Sequence, residues 1–412
     1  MGLGPSTKMT TLHHYQCPVT KRLLAEKQLE FSGVIVSGVS ERYDDKMFTA
    51  ERTGELAEAI RADGAIVVTD GWGNHHIDFV NVMEQLEKRG IPAIGMSYIG
   101  LQGQLVCSSP YIDRIVDFNK NESGYESLIV GDNNVTDYDA VKAIAFLKQK
   151  MKGTYRQKHV PSQVRVLQQL RRKKYAISQF AWGDTTRIEG DTLVVRRAVC
   201  SRLIVPDSPV QALRLQCLTP LQRHIFVNTN LDFMPIAAKI RGALGTGETA
   251  LLNGITLMLT GADERGCQPH NIGSSEGFLD EHVRFGQCGT PKEDDLLLHL
   301  DVTFRQGQGS TDRGIRFAHQ VADRLLREIR CAMADLNDLP CTTEEYYNIS
   351  ISPCPKVVLV KIASGLGNMY ETAVFPDEPG GFLGAKCLMD MQNIPVVVTP
   401  TKCLDGVIHS LL

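Results

Sequence analysis

The segment GAIVVTDGWGNHHIDF, residues 64–79, decides the fold because its spacing changes from that of a strand to that of a helix. The run 66–68 is apolar and β-branched, as in a buried strand. Gly71 and Gly73 then mark a turn, and apolar residues recur at helical spacing over 79–86. In open α/β sheets, ligands bind where a strand ends and its helix begins. The pattern therefore predicts a ligand site at this turn.

Strands and helices alternate on both sides of this segment. The patterns predict strands over 34–37, 65–69 and 91–96, and helices over 53–61, 76–88 and 137–151. An alternating order of this kind gives a parallel sheet with right-handed crossovers. We therefore predict that residues 1–151 form an α/β domain.

The remainder of the chain has a less regular pattern. Residues 152–174 are basic and polar, which predicts a linker. Residues 175–412 contain short apolar runs, separated by turn residues, and one helical pattern over 313–333. Strands are predicted there over 192–195, 202–205, 254–260, 296–304, 356–362 and 394–399. The expected fold class is α/β, with a parallel-sheet βαβ N-terminal domain and a mixed α/β C-terminal block.

Composition and charge exclude several functions. The 412 residues have a net charge of −3, with 43% hydrophobic and 22% charged residues, which is ordinary for a soluble protein. This charge gives no reason to expect a nucleic-acid or membrane partner. No apolar run has the length of a membrane span, and the first residues lack the apolar core of a secretion signal. The eleven cysteines form no CxxC pair, which predicts reduced, structural thiols in a cytoplasmic protein.

Three polar residues at the turn are candidate catalytic residues: Asn74, His76 and Asp78. A histidine acts as an acid or base near neutral pH, and the turn would direct these side chains toward a ligand. A structural role is the alternative, with Asn74 as a helix N-cap and Asp78 as a first-turn carboxylate that the helix dipole favours. His76 and Asp78 would make only half a metal site, so we predict no metal.

Five further residues are candidates for substrate binding. Ser274, Ser275 and Glu276 lie between two glycines, either as a loop that presents a carboxylate or as a helix cap. Arg313 would clamp a substrate carboxylate with two hydrogen bonds, or else form a surface ion pair. His319 lies beside an apolar helical stripe, which is also typical of a structural histidine at the edge of the core.

Several longer motifs resemble a family of amino-acid reductases. TDGWGNHHIDF (69–79), KRGIP (88–92) and GMS (95–97) resemble the pyruvoyl-bearing part of the D-proline reductase proprotein, which is related to component B of glycine, sarcosine and betaine reductases. The second block resembles the other part of this proprotein in TGADE (260–264), GSSEG (273–277), DR (312–313), AH (318–319), EP (378–379), GAK (384–386) and LDGVIH (404–409).

The sequence differs from the family's pattern in two ways. In the family, the part that resembles residues 175–412 comes first, and self-cleavage leaves a cysteine-derived pyruvoyl group on the part that resembles residues 1–150. The chain therefore resembles a permuted fusion, and we expect Met1 and Leu412 to lie close together. Gly2 stands at the position of the pyruvoyl-forming cysteine and has no side chain to attack the preceding carbonyl. We therefore expect no pyruvoyl cofactor in this chain.

The family's reaction, as the resemblance implies it, joins the substrate amine to the pyruvoyl carbonyl; a selenolate or thiolate of a partner subunit then breaks the C–N bond. Two functions remain open. The chain is either a D-proline-reductase-like subunit that cleaves a proline- or glycine-type substrate, or a non-catalytic paralogue that assembles or regulates the complex. A binding protein for a small amino acid is a third possibility. The expected partners are a selenol- or thiol-bearing subunit and a small amino-acid ligand, in a homo- or hetero-oligomer.

Overall fold

The structure is a computed structural model that describes residues 9–69, 73–119, 127, 129–152, 163–268, 276–336, 339–364 and 372–411. In this part of the chain the α-helices are α1 (Thr11–Tyr15), α2 (Pro18–Ala25), α3 (Tyr43–Ala59), α4 (Asn74–Lys88), α5 (Asp137–Met151), α6 (Val199–Leu203), α7 (Leu279–His282), α8 (Asp312–Ala332) and α9 (Pro400–Leu404). None of the helices formed by these residues is long and apolar enough to cross a membrane.

The strands in the same residues, in chain order, are β1 (Glu30–Val39), β2 (Gly64–Thr69), β3 (Ala93–Ser97), β4 (Ile115–Asp117), β5 (Gln163–Ala176), β6 (Gln179–Gly183), β7 (Arg187–Glu189), β8 (Thr192–Arg196), β9 (Val210–Leu218), β10 (Phe226–Val227), β11 (Thr229–Met234), β12 (Ala237–Arg241), β13 (Gly247–Asn253), β14 (Ile255–Asp263), β15 (Gly277–Phe278), β16 (Leu296–Phe304), β17 (Cys341–Ser352), β18 (Lys356–Ser364), β19 (Thr372–Phe375), β20 (Lys386–Cys387), β21 (Val396–Val398) and β22 (His409–Leu411).

A six-stranded sheet of order β21-β1-β18-β2-β3-β4 forms the first core. All of its neighbours run parallel except β21, which is antiparallel to β1. Helices α3 and α4 cover one face, and α2, α5 and α9 cover the other. Both faces are therefore buried, as is usual for parallel strands with helical crossovers. The predicted α/β fold class is confirmed.

Strand β18, from the C-terminal part of the chain, lies between β1 and β2. Val34 is in register with Leu359, and Leu359 is in register with Ile66 on its other side. The sequence predicts the three strands at 34–37, 65–69 and 91–96 but not this insertion. The division into domains 1–151 and 175–412 stays a prediction. Strand β18, from the second of these ranges, pairs with strands of the first.

Two four-stranded sheets follow, of order β11-β14-β16-β9 and β12-β13-β5-β17. Helix α8 packs on the first of them, and its apolar stripe lies in a second large core. Smaller sheets of order β6-β8-β7 and β20-β19-β22, and the pair β10-β15, complete the observed strands. The C-terminal part is therefore mixed α/β, as predicted.

Strand β5 occupies residues 163–174 of the segment that the sequence assigns to a linker. The basic side chains at 171–174 form ion pairs across the sheet. Arg172 is buried between the rings of Tyr15 and Tyr346, and its Nη2 donates to Glu344 Oε2 at 2.7 Å. The acidic partners come from β17 and, for Lys173, from Glu248 of β13, so composition within the basic run alone predicts the wrong environment.

Two other local predictions differ from the structure. The strand predicted over 202–205 is wrong, because α6 ends at Leu203 and a short apolar run does not distinguish a helix from a strand. Val199 and Leu203, one turn apart, are both buried. The helix predicted from residue 53 begins at Tyr43, and the buried face of its first half includes polar residues such as Lys46.

Candidate functional site

The segment that decides the fold does form a strand, a turn and a helix. Strand β2 ends at Thr69 and α4 begins at Asn74, while residues 70–72 lie outside the described residues. Gly73 precedes the helix with φ of 55°, a left-handed conformation that glycine adopts without strain. The predicted change from strand to helix is confirmed.

Asp78 forms a buried ion pair with Lys46 of α3. The Lys46 ammonium donates to Asp78 Oδ2 and, at 3.1 Å, to the carbonyl oxygen of Asn74, and both charged side chains are 3% exposed. Burial raises the pKa of Asp78 to about 7, although Lys46 opposes this shift. Asn74 does not cap the helix, because Gly73 holds that position and the Asn74 amide donates to Ser40.

His76 is packed into the protein and is 2% exposed. Its ring lies 5.5 Å from that of Phe79 between centroids, and a Cβ at Gly103 would lie only 2.3 Å from its Cε1. Burial lowers the pKa of His76, while a backbone hydrogen bond with Cys107 opposes this shift. The imidazole is therefore neutral near pH 7.

Those predicted substrate-binding residues that the structure describes differ in burial. Ser274 and Ser275 lie outside the described residues, and Glu276 is half-buried. Arg313 is exposed in the first turn of α8, whereas His319, six residues further along the helix, is fully buried. Their proposed roles remain predictions.

His319 meets two residues that the sequence analysis did not select, Asp232 of β11 and His409 of β22. The carboxylate oxygen Asp232 Oδ2 lies 2.8 Å from His409 Nε2 and 3.6 Å from His319 Nε2. All three side chains are fully buried. Thr11 of α1 holds the carboxylate through its backbone N–H at 2.9 Å and its hydroxyl at 2.8 Å. We call Asp232, His319 and His409 the acid-histidine cluster.

Backbone carbonyls fix both rings of the cluster. His319 Nδ1 lies 2.9 Å from the carbonyl oxygen of Ile315, one helical turn earlier. His409 Nδ1 lies 2.9 Å from the carbonyl oxygen of Gly381. Burial lowers the pKa of His319 to about 4, although the Asp232 carboxylate opposes this shift. His319 is therefore a neutral ring whose orientation is set by its own helix.

A buried polar network continues from the cluster to the parallel sheet. Ser410, which follows His409, lies 2.8 Å from His14 Nε2 through its hydroxyl oxygen. Lys361 of β18 reaches the other nitrogen of this ring, Nδ1, at 3.0 Å. Because an ammonium only donates, His14 Nε2 carries the hydrogen and donates to Ser410. The network thus connects β22 with the six-stranded sheet.

Cys17 lies at the Lys361 end of this network. Burial opposes ionisation of its thiol, but the Lys361 ammonium and hydrogen bonds from Thr20 hold the pKa of Cys17 below its ordinary value. Burial raises the pKa of the neighbouring Cys403 to about 11. The sequence predicts structural thiols. Local context gives no sign of the contact between Cys17 and Lys361, because the two residues are far apart in the chain.

Comparison with known proteins shows that the chain is similar to one class of enzyme subunits. The family model for glycine/sarcosine/betaine reductase component B subunits matches residues 3–116. The predicted resemblance to these amino-acid reductases is therefore confirmed, whereas the permuted order remains a prediction.

Individual relatives agree with this class. The chain is 35% identical over 253 residues to the D-proline reductase proprotein PrdA of Acetoanaerobium sticklandii, which covers 61% of the chain and 40% of the proprotein. It is 35% identical over 94 residues to the betaine reductase complex component B subunit alpha of Peptoclostridium acidaminophilum, covering 22% of the chain and 21% of that subunit. No solved structure matches the chain.

Proposed function

We propose that the chain is a D-proline-reductase-like subunit of an amino-acid reductase complex, which takes part in reductive C–N cleavage of a proline- or glycine-type substrate. The observation that carries this proposal is the 35% identity over 253 residues to a D-proline reductase proprotein. The match of residues 3–116 to component B subunits supports the same class. A cytoplasmic location and an oligomeric state are part of the proposal.

The packing of two distant segments supports the permuted relationship to that proprotein. Thr11 Oγ1 of α1 lies 3.5 Å from the carbonyl oxygen of Ser410 in β22. In the family, the segments that resemble these two regions lie on either side of the cleavage site. Their contact is what a fusion in the reverse order requires, although Met1 and Leu412 themselves lie outside the described residues.

Gly2 determines how the chain would take part in the reaction. With glycine at the position of the pyruvoyl-forming cysteine, another chain would supply the electrophile, and a partner would supply the selenol or thiol. The same residue favours the second candidate, a non-catalytic paralogue that assembles or regulates the complex.

A carbonyl assay tests the proposed role of Gly2, and a turnover assay separates the two alternatives. The purified full chain is treated with a hydrazide reagent, and its intact mass is recorded. We expect one unprocessed chain without a reactive carbonyl, and labelling of this chain would contradict the proposed role of Gly2. D-Proline and dithiothreitol are then supplied with and without a selenol-bearing reductase subunit and a pyruvoyl-bearing chain. Turnover that needs this chain supports the catalytic subunit, and turnover that is unchanged without it supports the paralogue.

The predicted site at the turn has its own test. We expect His76→Ala to weaken D-proline binding without unfolding the protein, and isothermal titration calorimetry measures this affinity. His224→Ala is the control, because His224 is an exposed histidine whose ring is stacked on Phe278, 4.5 Å away between centroids. Equal affinity of the two variants for D-proline would remove His76 from the binding site.

A further inference from the structure

We propose that the acid-histidine cluster, Asp232, His319 and His409, binds a divalent transition-metal ion, with Zn²⁺ as the first candidate. The three ligand atoms lie within 4.8 Å of one another. Zinc–nitrogen bonds of about 2.0–2.1 Å in a tetrahedral shell place neighbouring ligand atoms about 3.3 Å apart. The observed separations of 2.8 Å and 3.6 Å from Asp232 Oδ2 lie on either side of that value.

The positions of the ring hydrogens support a cation at this point. A carbonyl oxygen only accepts hydrogen bonds, so Nδ1 of His319 and Nδ1 of His409 each carry a hydrogen toward Ile315 and Gly381. In the neutral form of either ring, which has one N–H, Nε2 would present a lone pair. Both Nε2 atoms face the same carboxylate oxygen, Asp232 Oδ2.

Three electron-rich atoms thus converge in a fully buried space. A proton on His409 would satisfy its contact with Asp232, but the lone pair of His319 would still face the carboxylate. A metal ion is attracted to all three atoms at once. Histidine ligands of metals usually donate their other N–H to a carbonyl or carboxylate, and both rings of the cluster do so. Thr11 orients Asp232 in the same way.

The charge around Asp232 leads to the same conclusion. Three other buried carboxylates have a cationic side chain as partner: Asp78 has Lys46, Asp323 has Arg330, and Asp405 has Lys239. Buried Asp263 instead accepts the backbone N–H groups of Gly307 and Gly309. Among the described residues, the ion-pair partners of Asp232 are the two histidines. A buried carboxylate is costly unless it is paired or coordinates a metal. A bound cation would supply the missing charge.

The donor set selects the class of metal. Two imidazoles and one carboxylate suit Zn²⁺, Fe²⁺ or Co²⁺, whereas Mg²⁺ and Ca²⁺ prefer oxygen ligands. Three protein ligands are typical of metal sites that keep a position for water or substrate. The inference uses the contacts of this cluster alone and does not rest on the proposed reductase role.

Metal analysis of the intact chain tests the site. The full chain, without a histidine tag, is stripped with a chelator, loaded with excess Zn²⁺ and desalted, and its zinc is measured by mass spectrometry. We expect about one equivalent per chain in the parent protein and less than about 0.1 in Asp232→Asn and in His409→Gln. The exposed-histidine variant His224→Gln serves as the control and should keep the full equivalent. A folded parent chain that retains less than about 0.1 equivalent would overturn the proposal.

Cobalt gives a readout that does not depend on the folding of a variant. Co²⁺ in the parent chain should show the visible absorption of a nitrogen- and oxygen-ligated ion. Sulfur-to-metal charge transfer would instead place the ion at cysteines such as Cys17 and Cys403, and would overturn the assignment. Retention of the full Zn²⁺ equivalent by a folded His319→Gln, His409→Gln double variant would overturn it as well.

Discussion

The Lys46–Asp78 pair and the acid-histidine cluster each contain a buried carboxylate, but the partners of the two carboxylates differ. Asp78 meets an ammonium from a neighbouring helix, whereas Asp232 meets two imidazole nitrogens. The pair links α3 to α4 on one face of the parallel sheet, and its charges balance within the chain. The cluster lies where α1, α8, β11 and β22 meet, and it sets one carboxylate against two imidazoles. The difference indicates structure in the first case and ligand binding in the second.

Removal of Asp78 is expected to have the largest effect. Asp78→Ala leaves the Lys46 ammonium buried without its partner, which should destabilise the fold by about 3–5 kcal/mol. Urea unfolding at one fixed pH measures the loss. The double variant Lys46→Met, Asp78→Leu should lose far less. Equal losses would mean that the two charges are not coupled.

Zinc should act on the cluster and not on the pair. At a free concentration about 100-fold above its dissociation constant, Zn²⁺ should stabilise the folded protein by about 2.7 kcal/mol. Thermal unfolding at increasing Zn²⁺ measures this effect. Asp232→Asn should abolish the dependence on zinc, whereas Asp78→Asn should retain it. Loss of the dependence in both variants would show that the comparison between the two regions is wrong.

The pair should produce a specific pH dependence. The pKa of Asp78 is raised from 3.8 to about 7, so between these values the folded protein holds a proton that the unfolded chain has lost. The stability contributed by Asp78 is therefore present at low pH and falls as the pH rises, by at most about 1.4 kcal/mol per pH unit. Urea midpoints from about pH 4 to 8 should fall less steeply in Asp78→Asn. An unchanged slope would contradict the raised pKa.

Local patterns predicted the strands and helices around residues 64–79 because each element is encoded by its own periodicity. The position of β18 could not be predicted in this way. The residues Lys356–Ser364 have the pattern of a buried strand, but this pattern does not determine which strands they pair with. Only long-range packing places them between β1 and β2. The environment of the basic segment 171–174 is predicted wrongly for a related reason, since its acidic partners Glu248, Glu344 and Glu345 lie far away in sequence.

The candidate sites show the same limit. His319 could be selected from its sequence context, but Asp232 and His409 lie 87 and 90 residues from it, as the residue numbers show. No spacing rule relates three such positions. A shift in register between Asn230 and Asp232 interrupts the regular pairing of β11 with β14, and such interruptions often redirect a side chain beside a functional site. This signal exists only in the folded protein.

The smallest expected effect comes from the hydroxyl that orients Asp232. Thr11→Val keeps the shape of the side chain and the backbone N–H bond, but removes the donor 2.8 Å from Asp232 Oδ2. Without metal, the loss of one hydrogen bond should cost about 0.5–1.5 kcal/mol in urea unfolding. Because partners of metal ligands tune affinity, Zn²⁺ should also bind about tenfold more weakly. Thr20→Val is the matched control, since this buried threonine contacts Cys403 Sγ at 3.8 Å and lies outside the cluster. Equal zinc affinity in the two variants would separate Thr11 from the metal and leave it a structural role alone.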